Sequence, residues 1–312
     1  MGGGGGRVFT NDRGPEDLSR MVRDVEDQTS IAEFETQLSG TLSDLLRTVN
    51  NRDSELVKER LRQIKADLEG HVGGTIDQLF GGSVAKHTYV DGLSDIDTLV
   101  LLDDSGLADK SPQIALLHIA KCINNNKPHG AEIKIGDMAV TIDYADGMSI
   151  QLLPALRSNA GLKVPSSRRD AWSEINPEAF RSALTRRNDE CAGKLVPTIK
   201  LAKAIIGLLP DGQRLSGYHA ESLAIAAFRG YEGPKTTSAM LPHYFERAKD
   251  IVLQPIRDKT GQSLHVDDYL GPADSAARVS AGNVLGRIAK RMRNASAAKS
   301  TALWRSIFGL DE

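Results

Sequence analysis

Gly81-Gly82-Ser83 stands eleven residues ahead of Asp95-Ile96-Asp97, which runs directly into the apolar stretch Thr98-Leu99-Val100-Leu101-Leu102. Residues two apart on a strand project to the same face, so a strand here sends Asp95 and Asp97 out side by side. Two carboxylates so placed repel unless cations lie between them. Mg²⁺ prefers oxygen ligands and binds through one or two carboxylates plus substrate phosphates, which suits this pair facing a triphosphate. Upstream, Gly82 lets the backbone approach a phosphate closely, and Ser83 offers a hydroxyl and an amide at a helix start. Either half alone is weak, because Gly-Gly-Ser is common in loops and Asp-x-Asp at solvated strand ends. In this order, ahead of an apolar strand, they point to metal-assisted phosphoryl transfer.

Working outward, Thr75 to Asp103 reads as strand, loop, short helix, strand. Before it, Ile31, Phe34, Leu38, Leu42, Leu45 and Leu46 recur at helical spacing, and a second helical segment carries Leu56, Leu61, Ile64 and Leu68. After it, Ile114 to Cys122 is a helix. Ile133/Ile135, Val140/Ile142 and Ile150 to Leu153 then form strands around a turn at Asp146-Gly147, giving a mixed sheet of about four or five strands. Beyond Pro165 strand signals vanish, and Pro177–Leu209, Tyr218–Tyr231, Met240–Val252 and Asp274–Ile307 read as helices. The fold class expected is α+β, a mixed sheet with flanking helices followed by a helical lobe. Residues 1–25 read as a disordered glycine-rich leader, 26–165 as the catalytic domain and 166–312 as the helical domain.

Composition narrows the function classes. The 312 residues are 40% hydrophobic and 26% charged, with a formal charge of −2. No stretch reaches the roughly 18 to 20 apolar residues of a bilayer span, so a cytoplasmic protein without a membrane partner is expected. The near-neutral charge argues against an obligatory long nucleic acid. Cys122 and Cys191 form no CxxC pair and fit a reducing compartment. His118 and Cys122 lie four apart on a helix and could present two metal ligands, but a half-buried helix face is the favoured reading. Arg278, Arg287, Lys290, Arg291, Arg293, Lys299 and Arg305 make the last helical stretch one-signed, read as a solvated face in preference to a phosphate- or partner-binding patch.

The Gly-Ser pair followed by Asp-x-Asp resembles the polymerase-β-like nucleotidyltransferase superfamily. A closer resemblance, to the bacterial cyclic-GMP-AMP-synthase/DncV-like nucleotidyltransferases of antiphage signalling, runs through Gly82-Ser83-Val84-Ala85-Lys86-His87-Thr88, Gly92-Leu93-Ser94-Asp95-Ile96-Asp97 and Leu152-Leu153-Pro154-Ala155. Ile199-Lys200-Leu201-Ala202-Lys203 and Ser216-Gly217-Tyr218-His219-Ala220-Glu221-Ser222-Leu223 look like the family's helical lobe, so the similarity covers roughly residues 30 to 300. It implies a bilobed cleft. It places Lys203, with Lys200 one turn away, at the triphosphate, and Ser216 and Tyr218 at nucleotide contacts. Solvated faces for the lysines and core packing for Tyr218 are the alternatives.

This sequence departs from the family at Gln151, where a third carboxylate normally stands. A hairpin centred on the Asp146-Gly147 turn would make Asp143 a near cross-strand neighbour of Gln151. The metal set is then Asp95, Asp97 and Asp143, holding two Mg²⁺ or Mn²⁺ ions; otherwise the site has two carboxylates and altered metal affinity, or is inactive. The resemblance implies synthesis of a cyclic di- or oligonucleotide messenger from nucleoside triphosphates, with pyrophosphate release and a downstream effector protein that senses the product. The alternatives are linear oligonucleotides, modification of RNA or protein, and an inactive nucleotide-binding homologue.

Overall fold

The computed structural model describes residues 15–49, 54–72, 77–80, 96–159, 161–166, 171–256 and 267–310. Gly82, Ser83 and Asp95 lie outside the described residues. Two helices, α1 (Pro15–Val49) and α2 (Ser54–Val72), precede β1 (Asp77–Phe80) and β2 (Ile96–Leu101). Helix α3 (Pro112–Asn125) follows, then β3 (Glu132–Ile135), β4 (Val140–Asp143), β5 (Ser149–Ser158), β6 (Gly161–Pro165) and β7 (Trp172–Ile175). The remainder is helical: α4 (Pro177–Glu190), α5 (Leu195–Gly207), α6 (Gly217–Ala227), α7 (Thr237–Ile251), α8 (Ala276–Ala297) and α9 (Thr301–Ile307). Among the described residues no helix is long and apolar enough to cross a membrane.

Among the described residues the strands form a seven-stranded mixed sheet in the order β1-β2-β5-β4-β3, with β6 pairing the far half of β5 and β7 pairing β6. Only β2 and β5 run parallel among these pairs. Alternation decides the faces. Ile96, Val100, Val140, Ile142, Ile150 and Leu152 are fully buried and pack with Val57, Leu61, Ile64 and Leu68 of α2 and Leu116, Ile119 and Ile123 of α3. On the other face Leu99, Leu101 and Ala155 meet Val164 of β6. The strand pair is thus covered on both sides from Leu99 onward, and the residues before it lie on a face that β6 does not reach.

A second core belongs to the helical lobe. It gathers Ile199, Leu201 and Ala202 of α5, Leu223 of α6, Tyr244 and Phe245 of α7, Leu285 and Met292 of α8 and Trp304 of α9. Helix starts are set by side chains: Asn176, Ser216, Thr236, Ser275 and Ser300 each accept the backbone N–H three residues on.

The structure moves three boundaries. Helix α1 begins at Pro15, inside the segment read as a disordered leader, and its Phe34, Leu38 and Leu42 join the core of the C-terminal helices, with which the sequence reading does not group them. Periodicity reveals an apolar face but not its partner. Strand β7 lies beyond Pro165, where strand signals are absent, because its Trp172–Ile175 sequence sits at a partly exposed edge and has little apolar alternation. The long C-terminal helical stretches divide: Cys191–Lys194 separates α4 from α5, with Ala192 and Gly193 at positive φ. Leu38 is 1% exposed, so Leu38→Ala should cost about 2–5 kcal/mol in chemical denaturation. A loss below about 1 kcal/mol would remove α1 from the cooperative core.

Candidate active site

Register across the sheet builds the site. Asp97 on β2 lies beside Gln151 on β5, and Gln151 lies beside Thr141 on β4, which in turn faces Lys134 on β3. Partners in register share a face, so one polar row, Asp97-Gln151-Thr141-Lys134, crosses four strands opposite the α2/α3 core. Asp97, Gln151 and Thr141 are all half-buried. A second row holds Ser149, Asp143 and Glu132.

The hairpin is centred on Asp146, as expected from Asp146-Gly147. Gly147 takes a φ of +87°, and Tyr144 donates its N–H to the Met148 carbonyl at 2.8 Å. Asp146 also accepts two hydrogen bonds from Arg60 of α2, at 2.7 and 3.1 Å, pinning the turn to the helix layer. This centre pairs Asp143 with Ser149 and gives Gln151 to Thr141, making Asp143 a diagonal neighbour of Gln151. Asp143 is two strands and two residues from Asp97, which ideal spacings convert to roughly 12 Å between Cα atoms. The sheet therefore brings Gln151, not Asp143, beside Asp97.

Asp143 instead accepts a hydrogen bond from Lys134 Nζ at 3.0 Å, and the same ammonium lies 3.3 Å from Glu132. Burial raises the Asp143 carboxyl, but the hydrogen bond and charge of Lys134, with the neighbouring Ser149 hydroxyl, outweigh it and hold the group below the usual carboxylate range. It is an ionised group on the polar face, one step removed from the Asp97–Gln151 pair.

In the helical lobe, Lys203 lies 2.7 Å from Glu221, and the two side chains are 5% and 1% exposed. Its ammonium lies under the first turn of α6: a Cβ added at Gly217 would stand 3.4 Å from Lys203 Nζ. Sequence reading offers a mobile charge or a solvated face for Lys203, and the structure gives a buried, paired lysine; Lys200 one turn earlier is half-buried. Ser216 caps α6 through the His219 N–H and gives its own N–H to Tyr269 Oη at 3.2 Å. Tyr218 is half-buried and packs on Phe180 of α4, ring centroids 4.8 Å apart. Helix α4 contacts β6, so Tyr218 belongs to the side of the lobe that meets the sheet.

His219, Asp267, Tyr269 and Arg278 form a cluster that sequence reasoning missed. Arg278, which the one-signed stretch counts among its surface basic residues, is fully buried and donates to Asp267 at 2.7 Å and to the carbonyls of Val252, Gln254, Gly271 and Pro272. Elsewhere on that basic face Arg293 pairs with Glu246, and Arg291 donates to Ser306. A buried arginine has no sequence signature when its acid partner, Asp267, is on a separate segment.

His118 and Cys122 follow the bland reading: Cys122 is buried, and His118 Nε2 lies 3.3 Å from the His71 carbonyl. Among the described residues no group of three or more His, Cys, Asp or Glu side chains is placed to hold a metal.

Residues 34–188 match the Second Messenger Oligonucleotide or Dinucleotide Synthetase domain. The chain is similar to the Bradyrhizobium diazoefficiens CD-NTase CdnG in complex with GTP, with a TM-score of 0.66 at 16% identity over 88% of this chain and 96% of that one. It is similar to the Vibrio cholerae DncV cyclic AMP-GMP synthase in complex with nonhydrolyzable GTP, with a TM-score of 0.63 at 11% identity over 96% and 92% of the two chains. Escherichia coli MS115-1 CdnC with ATP aligns with a TM-score of 0.56 at 18% identity over 90% and 97%. At these identities the likeness establishes the fold. No curated protein sequence matches the chain.

The His219 ring supplies a test of the cluster. Burial drives its pKa down to about 4, Arg278 pushes the same way, and Asp267 opposes them. The unfolded chain, titrating near 6.5, binds the proton first, so stability is complete above that pH and falls as pH drops toward 4. The loss should reach roughly 3 kcal/mol by about pH 4. Denaturant titrations of wild type and His219→Gln across about pH 4–7 should show a shallower decline in the variant; parallel curves would contradict the buried neutral histidine.

Proposed function

We propose that this chain, a nucleotidyltransferase of the cGAS/DncV-like second-messenger synthetases, joins nucleoside triphosphates into a cyclic di- or oligonucleotide in a metal-dependent reaction on the polar face that carries Asp97. The observation that carries the reading is the register of β2 against β5. It sets Asp97 on the face opposite the apolar core, at the start of an otherwise buried strand.

The donor set fits a hard cation. In register with Asp97 stand the amide of Gln151 and, beyond it, the hydroxyl of Thr141; both offer oxygen, and Mg²⁺ prefers oxygen ligands. Because both neighbours are neutral, the charge of the site rests on Asp97 and on Asp95 two residues before it. Asp143 acts as an outer carboxylate, held by Lys134. Two Mg²⁺ or Mn²⁺ ions bound there would supply charge neutralisation and Lewis acidity to the triphosphate.

Gly82 and Ser83 are assigned to the phosphates by their sequence pattern. The start of α6 is assigned to the same triphosphate, since the positive end of a helix dipole attracts anions. Lys203 adds a positive charge beneath that turn, and Glu221 compensates its burial. Lys200, half-buried one turn away, is assigned to the same phosphates, and Tyr218, backed by Phe180, is assigned to a base. In the reaction, a ribose hydroxyl of one nucleotide attacks the α-phosphorus of the next. The hydroxyl loses its proton, a P–O bond forms, and the bond to pyrophosphate breaks. Repetition within one site closes a ring. The product would act on an effector protein in antiphage defence, with no long nucleic acid required.

A second reading follows from Gln151 beside Asp97, where a third carboxylate would strengthen metal binding: a protein that binds nucleotide without turnover. Purified wild type and Asp97→Ala, incubated with labelled ATP, GTP, CTP and UTP and Mg²⁺ or Mn²⁺, separate the two. Wild type should release pyrophosphate and form a phosphatase-resistant product. Asp97→Ala should lose at least roughly 100-fold, the upper end seen when groups merely supporting a metal ligand are removed. Nucleotide binding without pyrophosphate release in wild type would favour the second reading, and equal activity in both proteins would overturn the site assignment.

A further inference from the structure

Most of the cluster around Arg278 serves one segment. Residues 267–275 are fastened by the Arg278 guanidinium, which reaches Asp267, Gly271 and Pro272 within it and Val252 and Gln254 outside it. Asp267 also accepts the Ile256 N–H at 3.0 Å, and the Ser275 hydroxyl donates to the Leu270 carbonyl. Burying an ion pair costs desolvation that only good geometry offsets, so this much buried charge fixes the segment's position more than it adds stability. The large aromatic side chain the segment exposes is Tyr269, 53% exposed. Its hydroxyl is turned inward to the start of α6.

There Tyr269 Oη accepts the Ser216 N–H at 3.2 Å. The same oxygen lies 2.7 Å from His219 Nδ1, with the two rings edge-on and centroids 5.7 Å apart. Ser216 and His219 flank Gly217 and Tyr218, the residues at the start of α6. One phenol therefore ties both sides of that turn to the rigid 267–275 segment.

We propose that Tyr269 is a positioning residue for the nucleotide, holding the Ser216–His219 turn in the orientation that receives the triphosphate; this rests on the proposed nucleotidyltransferase reading. The phenol oxygen accepts from Ser216, and on this proposal its own proton goes to His219 Nδ1, 2.7 Å away. The imidazole is then the neutral tautomer with its proton on Nε2, facing Asp267 at 3.8 Å. Neutrality is consistent with its burial beside Arg278. Because the Tyr269 ring stays half-exposed at the same helix end, a bound nucleotide meets a turn already set, and the cost of ordering it is not charged to binding.

Calorimetric titrations with α,β-methylene analogues of the four nucleoside triphosphates, in Mg²⁺, compare wild type and Tyr269→Phe. Wild type should bind at least one analogue, and Tyr269→Phe should weaken it about tenfold. In turnover, Tyr269→Phe should raise KM about tenfold with kcat within about twofold. Wild-type binding that Tyr269→Phe leaves within about twofold, or a fall in kcat at unchanged KM, would each overturn the inference and leave the proposed function standing. Failure of wild type to bind any analogue would overturn the proposed function itself. Nitrogen NMR of wild-type His219 at neutral pH needs no variant: a proton on Nε2 is expected, and one on Nδ1 would overturn the hydrogen-bond chain.

Discussion

The parallel pairing of β2 with β5 is the constraint on which the rest depends. Ile96 and Val100 on one strand and Ile150 and Leu152 on the other are fully buried against α2 and α3. A slip of one residue would send these side chains to the wrong face and carry Asp97 into the core. Apolar packing therefore fixes where the carboxylate emerges. Since β5 also pairs with β4, the same register sets which residue stands next to Asp97, and that residue is a glutamine.

The helical lobe solves a different problem. On the proposed reading it holds cationic and polar groups at the start of α6 without letting the backbone there drift. It does so with two buried ion pairs, Lys203–Glu221 and Arg278–Asp267. Each costs desolvation, and each fixes a position. Helix α4, joined to the sheet through β6 and to α6 through the Phe180–Tyr218 contact, is where the lobe with its own core meets the sheet.

Much of this was legible in the sequence, and the limits have physical causes. The α+β class, the strand through Asp97 and the turn at Asp146-Gly147 follow from alternation and glycine, which are local signals. Whether Asp143 or Gln151 stands beside Asp97 depends on register between separate strands, and pairing Asp143 with Ser149, two residues from Gln151, is enough to make it diagonal. The family resemblance singles Lys203 out as a triphosphate contact, but its periodicity alone reads as a solvated helix face; only the approach of Glu221 from α6 makes it a buried group. Arg278 and Tyr269 were beyond sequence reasoning because their partners, Asp267 and Ser216, lie on other segments. The docking of α1 on the C-terminal helices was hidden for the same reason.

On the proposed reading, the two halves of the site, the Asp97 face and the start of α6, act on one nucleotide. The most direct measurement is crystallographic: wild-type crystals grown with Mn²⁺ and a non-hydrolysable nucleoside triphosphate, with data collected at the manganese edge. The expected result is an anomalous peak against Asp97 and a triphosphate extending from it to the first turn of α6. A triphosphate bound away from α6, or manganese bound away from Asp97, would contradict it.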